Sequence, residues 1–173
     1  MTWRGGDRSV IELSVYSVLY SLLSRHRVVL LKETEGERFL PIWVGMFESE
    51  AIAMRLQGAA VPRPLTHDLL VNMIGELGGT LRYVVVNDLS ESTFYARIAV
   101  ERDGEVQLVD SRPSDAIALA LRAEIPIYAE DGVMDKAGIL SSPEIRTETP
   151  EKEDELDVFR DFVDTLDLDD LGD

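Results

Sequence analysis

The chain has 173 residues, 45% of them hydrophobic, which suits one globular domain with a short appendage. It contains no cysteine, so disulfides, thiolate metal sites and cysteine nucleophiles are excluded. The formal net charge is −16, and the segment from Glu144 to Asp173, with 13 acids and 3 bases, supplies most of it. So acidic a chain repels nucleic acids unless a local basic patch or a divalent cation intervenes. Because no apolar run is long enough to span a bilayer and the N-terminus does not resemble a signal peptide, we expect a cytoplasmic protein.

The first eighty residues predict a three-stranded unit followed by two helices. Apolar runs or alternating patterns between turn residues mark the strands, and apolar residues at helical spacing mark the helices. Pro41 in the third strand indicates an edge strand or a bulge. In the second helix, the apolar set is Leu69, Leu70, Met73, Ile74 and Leu77, spaced as for a buried face. The predicted elements are strands over 10–18, 27–33 and 38–45 and helices over 46–58 and 67–79.

The next sixty residues predict three strands, a helix, a strand and a short helix. The helix over 113–123 is apolar on both faces, so we expect it at the centre of the core. Because strands and helices do not alternate regularly, we predict an α+β fold with a mostly antiparallel or mixed sheet packed with about three helices. The predicted elements are strands over 80–88, 92–101 and 105–111, a helix over 113–123, a strand over 125–130 and a short helix over 131–139.

The composition changes after Leu140. Residues 141–155 are polar and contain two prolines, which is typical of a linker. Apolar residues then recur at helical spacing and predict a short acidic amphipathic helix over 155–171. That helix either docks on the body, contacts a protein partner or is a solvated tail. We therefore divide the chain into a domain over 8–140 and a tail over 141–173.

Two of the predicted helices begin with the same pattern. "RPLTHD" (63–68) and "RPSD" (112–115) each place an arginine and a proline before a hydroxyl residue and an aspartate. Proline suits the first turn of a helix, and Ser, Thr and Asp side chains cap its free N–H groups. Ser111, Ser114 and Asp115 are the candidate caps of the second helix. Capping does not require an arginine before each proline.

Arg63 and Arg112 therefore indicate an anion site. Arginine forms bidentate hydrogen bonds with phosphate or carboxylate, and helix N-termini offer free N–H groups. If the two helix starts are adjacent in space, they form one composite site. In the alternative, the two arginines form internal ion pairs with Asp68, Asp110 or Asp115.

Four segments follow one another in an order that is characteristic of one family. They are "LPIWVGMFESEAIA" (40–53), "RPLTHDLL" (63–70), "TFYARIAV" (93–100) and "DSRPSDAIALALRAEIPIY" (110–128). With these segments the chain resembles the bifunctional nuclease domain family, also called domain of unknown function 151. The resemblance implies an α+β domain, often a homo-oligomer. It also implies a nuclease, because plant members have been assigned activity on both RNA and DNA.

Phosphodiester hydrolysis needs an activated water, charge neutralisation at the phosphate and protonation of the leaving oxygen. Many nucleases meet these needs with carboxylates that hold one or two divalent ions. With no cysteine and two histidines, Mg²⁺ or Mn²⁺ suits this chain better than Zn²⁺. The candidate oxygen ligands are Glu48, Glu50, Asp68, Asp110 and Asp115.

The other candidates would transfer protons or contact substrate. His67 is a candidate general acid or base. Arg63 and Arg112 would stabilise the phosphate charge, and Thr66 and Ser114 would contact the substrate. We predict catalytic roles for Glu48, His67, Asp68, Asp110 and Asp115.

A second hypothesis is a non-catalytic regulatory or assembly protein. The Arg-Pro sites would then bind an anionic ligand, and the acidic tail would contact a protein partner. The helix dipole alone favours Glu48 and Glu50 where they stand, and a single histidine in a first helical turn is often structural. Cleavage assays with and without EDTA distinguish the two hypotheses. A metal-dependent nuclease loses activity in EDTA, whereas a non-catalytic protein has no activity to lose.

Overall fold

The computed structural model of the chain describes residues 9–20 and 26–140. These residues form eight strands in one mixed sheet and four helices, which confirms the predicted α+β class. The acidic helix predicted over 155–171 lies outside the described residues and stays a prediction. The elements are β1 (Val10–Tyr20), β2 (Arg27–Glu33), β3 (Arg38–Val44), α1 (Met46–Leu56), α2 (Thr66–Glu76), β4 (Thr80–Ser90), β5 (Thr93–Arg102), β6 (Glu105–Ser111), α3 (Pro113–Ala123), β7 (Ile127–Glu130), α4 (Asp131–Ala137) and β8 (Ile139–Leu140).

Two antiparallel three-stranded units make up most of the sheet. β1, β2 and β3 pair in sequence, and β4, β5 and β6 do the same. β7 lies between β1 and β4, antiparallel to the first and parallel to the second. It therefore joins the two units into one sheet with the order β6-β5-β4-β7-β1-β2-β3-β8.

Within residues 9–20 and 26–140, the predicted strands and helices are present, with some ends shifted. β1 continues to Tyr20 because it pairs with β2 as far as Arg27. β7 begins at Ile127 and not at 125, since the N–H of Ile125 donates to the carbonyl of Ala120 and so closes the end of α3. The two-residue strand β8 was not predicted, because a segment so short carries no periodicity.

Pro41 lies in a strand that is second from the edge of the sheet. β8 pairs with Arg38 and Phe39 of β3, so Pro41 lies beyond the end of that pairing. On the other side, Pro41 is opposite Leu30 of β2. Pro41 therefore has a neighbouring strand on one side only among the described residues, which is the situation that the sequence predicted for it, although β3 as a whole is not an edge strand.

The centre of the core is α3, as its two apolar faces predicted. The five residues from Ala116 to Ala120 are each at most 1% exposed. α3 packs against both α1 and α2 and against β4 and β5. The small alanines allow these elements to approach closely, and the packing holds the polar N-terminus of α3 in a fixed position.

The hairpin between β4 and β5 has a two-residue turn with unusual residues. Glu91 and Ser92 both adopt positive φ, at 48° and 59°. Two such residues in a row form the type I′ turn that suits the twist of a hairpin, but the favoured sequence is Asn-Gly. The chain therefore carries some backbone strain at this turn.

Among the described residues, no helix has the length and apolar character needed to cross a membrane.

Candidate functional site

The N-termini of α2 and α3 meet at one polar contact. His67 is the second residue of α2, and its Nε2 lies 3.1 Å from Oδ1 of Asp115 in the first turn of α3. The His67 side chain is 10% exposed and that of Asp115 is 28% exposed. The two helix starts that carry the Arg-Pro pattern are therefore adjacent, but Arg63 lines a groove whose lining does not include Arg112, so a composite site with both arginines stays a prediction.

Arg112 holds the Asp115 carboxylate from the other side. It is the residue before α3, in extended conformation, as expected before Pro113. Its Nε donates to Oδ2 of Asp115 at 2.7 Å and its Nη2 donates to Oδ1 at 3.1 Å, which is a bidentate pair. The same Nη2 also donates to Oε1 of Glu48 at 2.8 Å. Asp115 and Glu48 thus share one guanidinium.

Glu48 reaches this position because glycine precedes α1. Glu48 lies in the first turn of α1, and its carboxylate folds back over Gly45. A Cβ at Gly45 would overlap with the Oε2 atom of Glu48. Since Gly45 has φ −67°, its backbone does not require glycine, and an added Cβ would act by displacing the end of the Glu48 side chain. The Glu48 side chain is 17% exposed.

We call Glu48, His67, Arg112 and Asp115 the Asp115 cluster. Burial raises the pKa of the Asp115 carboxyl, but the hydrogen bonds from Arg112 and His67 outweigh this effect, so its pKa lies below the ordinary value. The hydrogen bonds to Asp115 and then to Glu48 raise the pKa of Arg112. Both shifts stabilise the ionised pair. The Arg112 side chain is nevertheless 66% exposed, so a cation anchored by two carboxylates faces solvent.

Asp68 belongs to a different contact. Its Oδ1 accepts from Nε of Arg122 at 2.7 Å, and its Oδ2 accepts from the N–H of Leu65 at 2.8 Å. Arg122 also donates to the carbonyls of Ala118 and Ala51, and its side chain is 6% exposed. These bonds tie α1, α2 and α3 together. Our prediction of a catalytic role for Asp68 is not tested, but its partners are those of a structural residue.

Sequence reasoning did not identify Arg122. The signal was present, because Arg122 is a single charge near the end of the apolar segment "DAIALALRA". It follows Asp115 by seven residues, which is two helical turns, so both lie on the face that α2 crosses. His67 and Asp68 are consecutive, and each contacts one of these two positions.

The remaining predicted residues lie outside the Asp115 cluster. Arg63 is exposed and lines an open groove of about 330 Å³ together with Asp68 and Arg122. Thr66 is exposed at the start of α2, and Asp110 is exposed on β6. Ser114 is 7% exposed, and the exposed Glu50 lies 3.6 Å from Arg27. Their predicted roles stay predictions.

The side-chain caps expected at α3 are not formed, whereas at the start of α2 the Asp68 side chain accepts from the N–H of the N-cap residue Leu65. The N-cap residue of α3 is Arg112, and no side chain caps the first turn. Ser111 donates instead to the carbonyl of Arg112, and Asp115 is occupied by Arg112 and His67. The capping interpretation was therefore wrong for Ser111, Ser114 and Asp115. The Asp115 carboxylate pairs with the side chains of Arg112 and His67 and does not cap the helix.

The arrangement of the carboxylate oxygens shows whether the described residues could hold a divalent cation. Within residues 9–20 and 26–140, no three His, Asp or Glu side chains are grouped so as to hold a metal ion. Glu48 and Asp115 already share the positive charge of Arg112. The described residues therefore present no preassembled metal site, and no step is derived through a metal.

The α+β fold thus carries the anchored guanidinium of Arg112 beside the imidazole of His67. This arrangement is a candidate site for a phosphate or carboxylate ligand. The family model described as "Bifunctional nuclease domain" matches residues 29–142. The chain belongs to the bifunctional nuclease domain family, as the four matching segments implied.

Several curated proteins are similar to the chain. The uncharacterized protein MT1877 of Mycobacterium tuberculosis (strain CDC 1551 / Oshkosh) is 42% identical over 162 residues, which cover 92% of this chain and 97% of that protein. Bifunctional nuclease 1 of Oryza sativa subsp. indica is 30% identical over 105 residues, or 59% of this chain and 32% of that protein. Bifunctional nuclease 1 of Arabidopsis thaliana is 28% identical over 131 residues, or 72% of this chain and 40% of that protein. The similarity thus spans less than half of each plant protein.

Proposed function

We propose that the protein is a cytoplasmic nuclease that hydrolyses phosphodiester bonds of RNA, DNA or both at the Asp115 cluster. One observation carries the proposal: the Asp115 carboxylate orients both an exposed guanidinium and a nearly buried imidazole. Phosphoryl chemistry needs a cation for the phosphate and a group that transfers protons, and this carboxylate positions one of each. Membership of the bifunctional nuclease domain family supports the proposal.

Arg112 would bind the scissile phosphate. Its Nε and Nη2 are used by Asp115 and Glu48. Among the described residues Nη1 has no partner, so its two N–H groups remain for phosphate oxygens. Because the two carboxylates fix the guanidinium plane, little side-chain entropy is lost when the phosphate binds.

His67 would transfer the proton. A carboxylate only accepts hydrogen bonds, so the contact with Asp115 means that Nε2 of His67 carries a hydrogen. In the neutral ring, Nδ1 then has a free lone pair for a proton from water, and the charged ring can return one to the leaving oxygen. Asp115 stabilises the charged ring in this cycle, and Glu48 keeps Arg112 in place.

Mg²⁺ or Mn²⁺ remains part of the proposal as an ion that arrives with the substrate. Proteins often hold Mg²⁺ through one or two carboxylates together with substrate phosphates. The requirement for a metal is decided by comparing cleavage in Mg²⁺, in Mn²⁺ and in EDTA.

The test is cleavage of single-stranded RNA and DNA by highly purified protein, beside Asp115→Asn and Arg112→Ala variants. Asp103→Asn is the matched control, because Asp103 is an exposed aspartate in the turn after β5, outside the cluster and outside the predicted site residues. We expect activity in the parent and in the control, and its loss in the two cluster variants. Cleavage that persists in both cluster variants would reject the site.

The alternative function is a non-catalytic protein that binds an anionic ligand or a protein partner. One observation favours this function: both carboxylates of the Asp115 cluster, those of Asp115 and Glu48, are already paired with Arg112. If no preparation cleaves RNA or DNA under any metal condition, this function replaces the nuclease.

A further inference from the structure

Arg63 is an exposed arginine that has no hydrogen-bond or ion-pair partner among the described residues. Arg97 is the other arginine of that part of the chain without a carboxylate partner, and the remaining described arginines are all paired. Since the net charge of the chain is −16, carboxylates are abundant, and yet none of the described ones neutralises Arg63. An exposed cation without a counterion is available to an anionic ligand.

Two prolines restrict the backbone on either side of Arg63. Pro62 precedes it and Pro64 follows it, in the loop between α1 and α2. The rings fix φ of both prolines, and a residue before a proline is held in extended conformation. Less backbone entropy is therefore lost when a ligand binds to Arg63 than when one binds to an unrestricted loop.

The groove that Arg63 lines combines cations with an apolar surface. We call it the Arg63 groove, and its volume is about 330 Å³. Arg55 and Arg122 also line it, and Asp68, the one carboxylate in the lining, is already paired with Arg122. The rest of the lining is apolar and includes Ala59, Val61 and Leu65. Such a lining suits an anionic group on a less polar body, as in a nucleotide.

Two turns of α3 separate the Arg63 groove from the Asp115 cluster. His67 contacts Asp115, and the next residue, Asp68, contacts Arg122 in the groove. Asp115 and Arg122 are seven residues apart in α3, which corresponds to about 10 Å along the helix. Successive phosphates of a stacked strand advance by about 3.4 Å, so about three nucleotide steps at most bridge this distance.

We propose that the Arg63 groove binds a second phosphate of the nucleic acid strand that is cleaved at the Asp115 cluster, no more than about three nucleotides from the cleaved bond. Arg112 and Arg63 then hold two different phosphates of one strand, and not one phosphate between them. The inference rests on the proposed function and adds a requirement to it, because the strand must continue far enough past the cleaved bond to reach Arg63. A strand too short to do so is a poor substrate.

Binding tests the groove without cleavage. The full chain is titrated in EDTA against a labelled single-stranded oligonucleotide, and fluorescence anisotropy is followed at several salt concentrations. Loss of a charge-assisted hydrogen bond should raise Kd about tenfold or more in Arg63→Ala. Loss of one phosphate contact should also reduce the slope of log K against log salt by about 0.7.

The matched control is Arg97→Ala, which removes the same charge. Arg97 is also exposed and has no partner among the described residues, but it lies in β5 and not in the groove. Its neighbours Ala96 and Ile98 belong to the core under the helices, so its side chain points to the other face of the sheet. The control should leave both Kd and the salt slope unchanged.

Cleavage mapping tests the distance between the two phosphates. One neutral methylphosphonate linkage is placed in an end-labelled strand, and the products are resolved nucleotide by nucleotide. Besides the modified linkage itself, we expect reduced cleavage at one bond on one side of it, no more than about three nucleotides away. This second reduction should be absent in Arg63→Ala and retained in Arg97→Ala. With an unmodified strand, Arg63→Ala should raise KM and leave kcat unchanged.

The outcomes separate this inference from the proposed function. Equal Kd values and salt slopes in Arg63→Ala and Arg97→Ala would overturn the inference, as would a second reduction that persists in Arg63→Ala, while cleavage by the parent keeps the nuclease. If no preparation cleaves the strand but its binding depends on Arg63, the groove is a nucleic-acid site and the nuclease alone is rejected. A parent that neither binds nor cleaves the strand would reject both. If a glutamate-rich peptide of equal charge binds as tightly through Arg63, the groove takes protein carboxylates and the inference is rejected.

Discussion

Arg122 and Asp68 form an ion pair between α3 and α2, with Nε 2.7 Å from Oδ1 and the arginine side chain 6% exposed. Removal of Arg122 leaves the carbonyls of Ala118 and Ala51 without this donor and the Asp68 carboxylate, which is 31% exposed, without its counterion. Loss of such partners costs about 1–3 kcal/mol. We expect Arg122→Ala to lower the free energy of unfolding by this amount in urea titrations. Arg55→Ala is the control, since Arg55 pairs at the surface with Glu124 and surface pairs contribute about 0–1 kcal/mol. Equal losses in the two variants would contradict a structural role for Arg122.

Replacement of His67 should affect catalysis more than stability. A positioned general acid or base contributes about 10²- to 10⁴-fold to rate, so we expect His67→Gln to lower kcat by about this factor. Glutamine can keep a hydrogen bond to Asp115, which limits the loss of stability. His26→Gln is the control, as His26 is exposed and outside the cluster. The pH profile of kcat/KM decides the role: a proton-transfer limb should disappear in His67→Gln, and an unchanged profile would show that His67 has a positioning role.

The depressed pKa of Asp115 predicts how stability depends on pH. A carboxyl whose pKa is lower in the folded than in the unfolded state stabilises the fold at pH values above its unfolded pKa, near 3.9. That contribution is lost as the pH falls through the lower, folded pKa. We therefore expect the difference in free energy of unfolding between the parent and Asp115→Asn to be constant near neutral pH and to shrink below about pH 4. A difference that does not change down to the acid transition would contradict the ionised pair.

A methyl group at position 45 should disturb the site without touching substrate. In Gly45→Ala, the new Cβ displaces the Glu48 carboxylate and so removes one anchor of Arg112. Small misplacements of positioning groups cost rate, and we expect a loss on the order of tenfold. Gly75→Ala is the matched control, because a Cβ there meets no atom within 4 Å. If Glu48 acts by anchoring Arg112, Gly45→Ala should add nothing in a Glu48→Gln background.

The turn between β4 and β5 offers a stabilising change. Glu91 and Ser92 hold positive φ, which costs non-glycine residues about 1 kcal/mol each, and Asn-Gly removes most of this strain. We expect the double substitution Glu91→Asn and Ser92→Gly to raise Tm by a few degrees without changing activity. An unchanged or lower Tm in calorimetry would show that the turn is not strained.

The fold was predictable where one periodicity dominates. The alternation of apolar and polar residues predicted β1. The two apolar faces of α3 predicted its central position in the core, because burial on both sides leaves a clear pattern in the sequence. α2 also has the spacing of a buried helix, but sequence periodicity cannot say what covers a face. The exposure of Leu69, Leu70, Met73 and Leu77 could therefore not be predicted from the sequence.

The site was predictable in part. The repeated Arg-Pro pattern led to His67, Arg112 and Asp115, which the structure brings together. It did not separate Asp68 from them, because consecutive residues at a helix start can point to different partners. Partner choice is set by how α2 crosses α3, and this crossing angle depends on packing across the whole core.

The position of β7 has a consequence for the order of folding. The units β1–β3 and β4–β6 can each form by local pairing as the ribosome releases them, but β1 and β4 then keep open edges toward each other. β7 fills that gap and comes late in the chain, after α3. Until residue 130 has left the exit tunnel, a nascent chain therefore exposes two unpaired strands that invite wrong partners. Chains stalled before β7 should be the species that chaperones bind, and completed chains should be released from them.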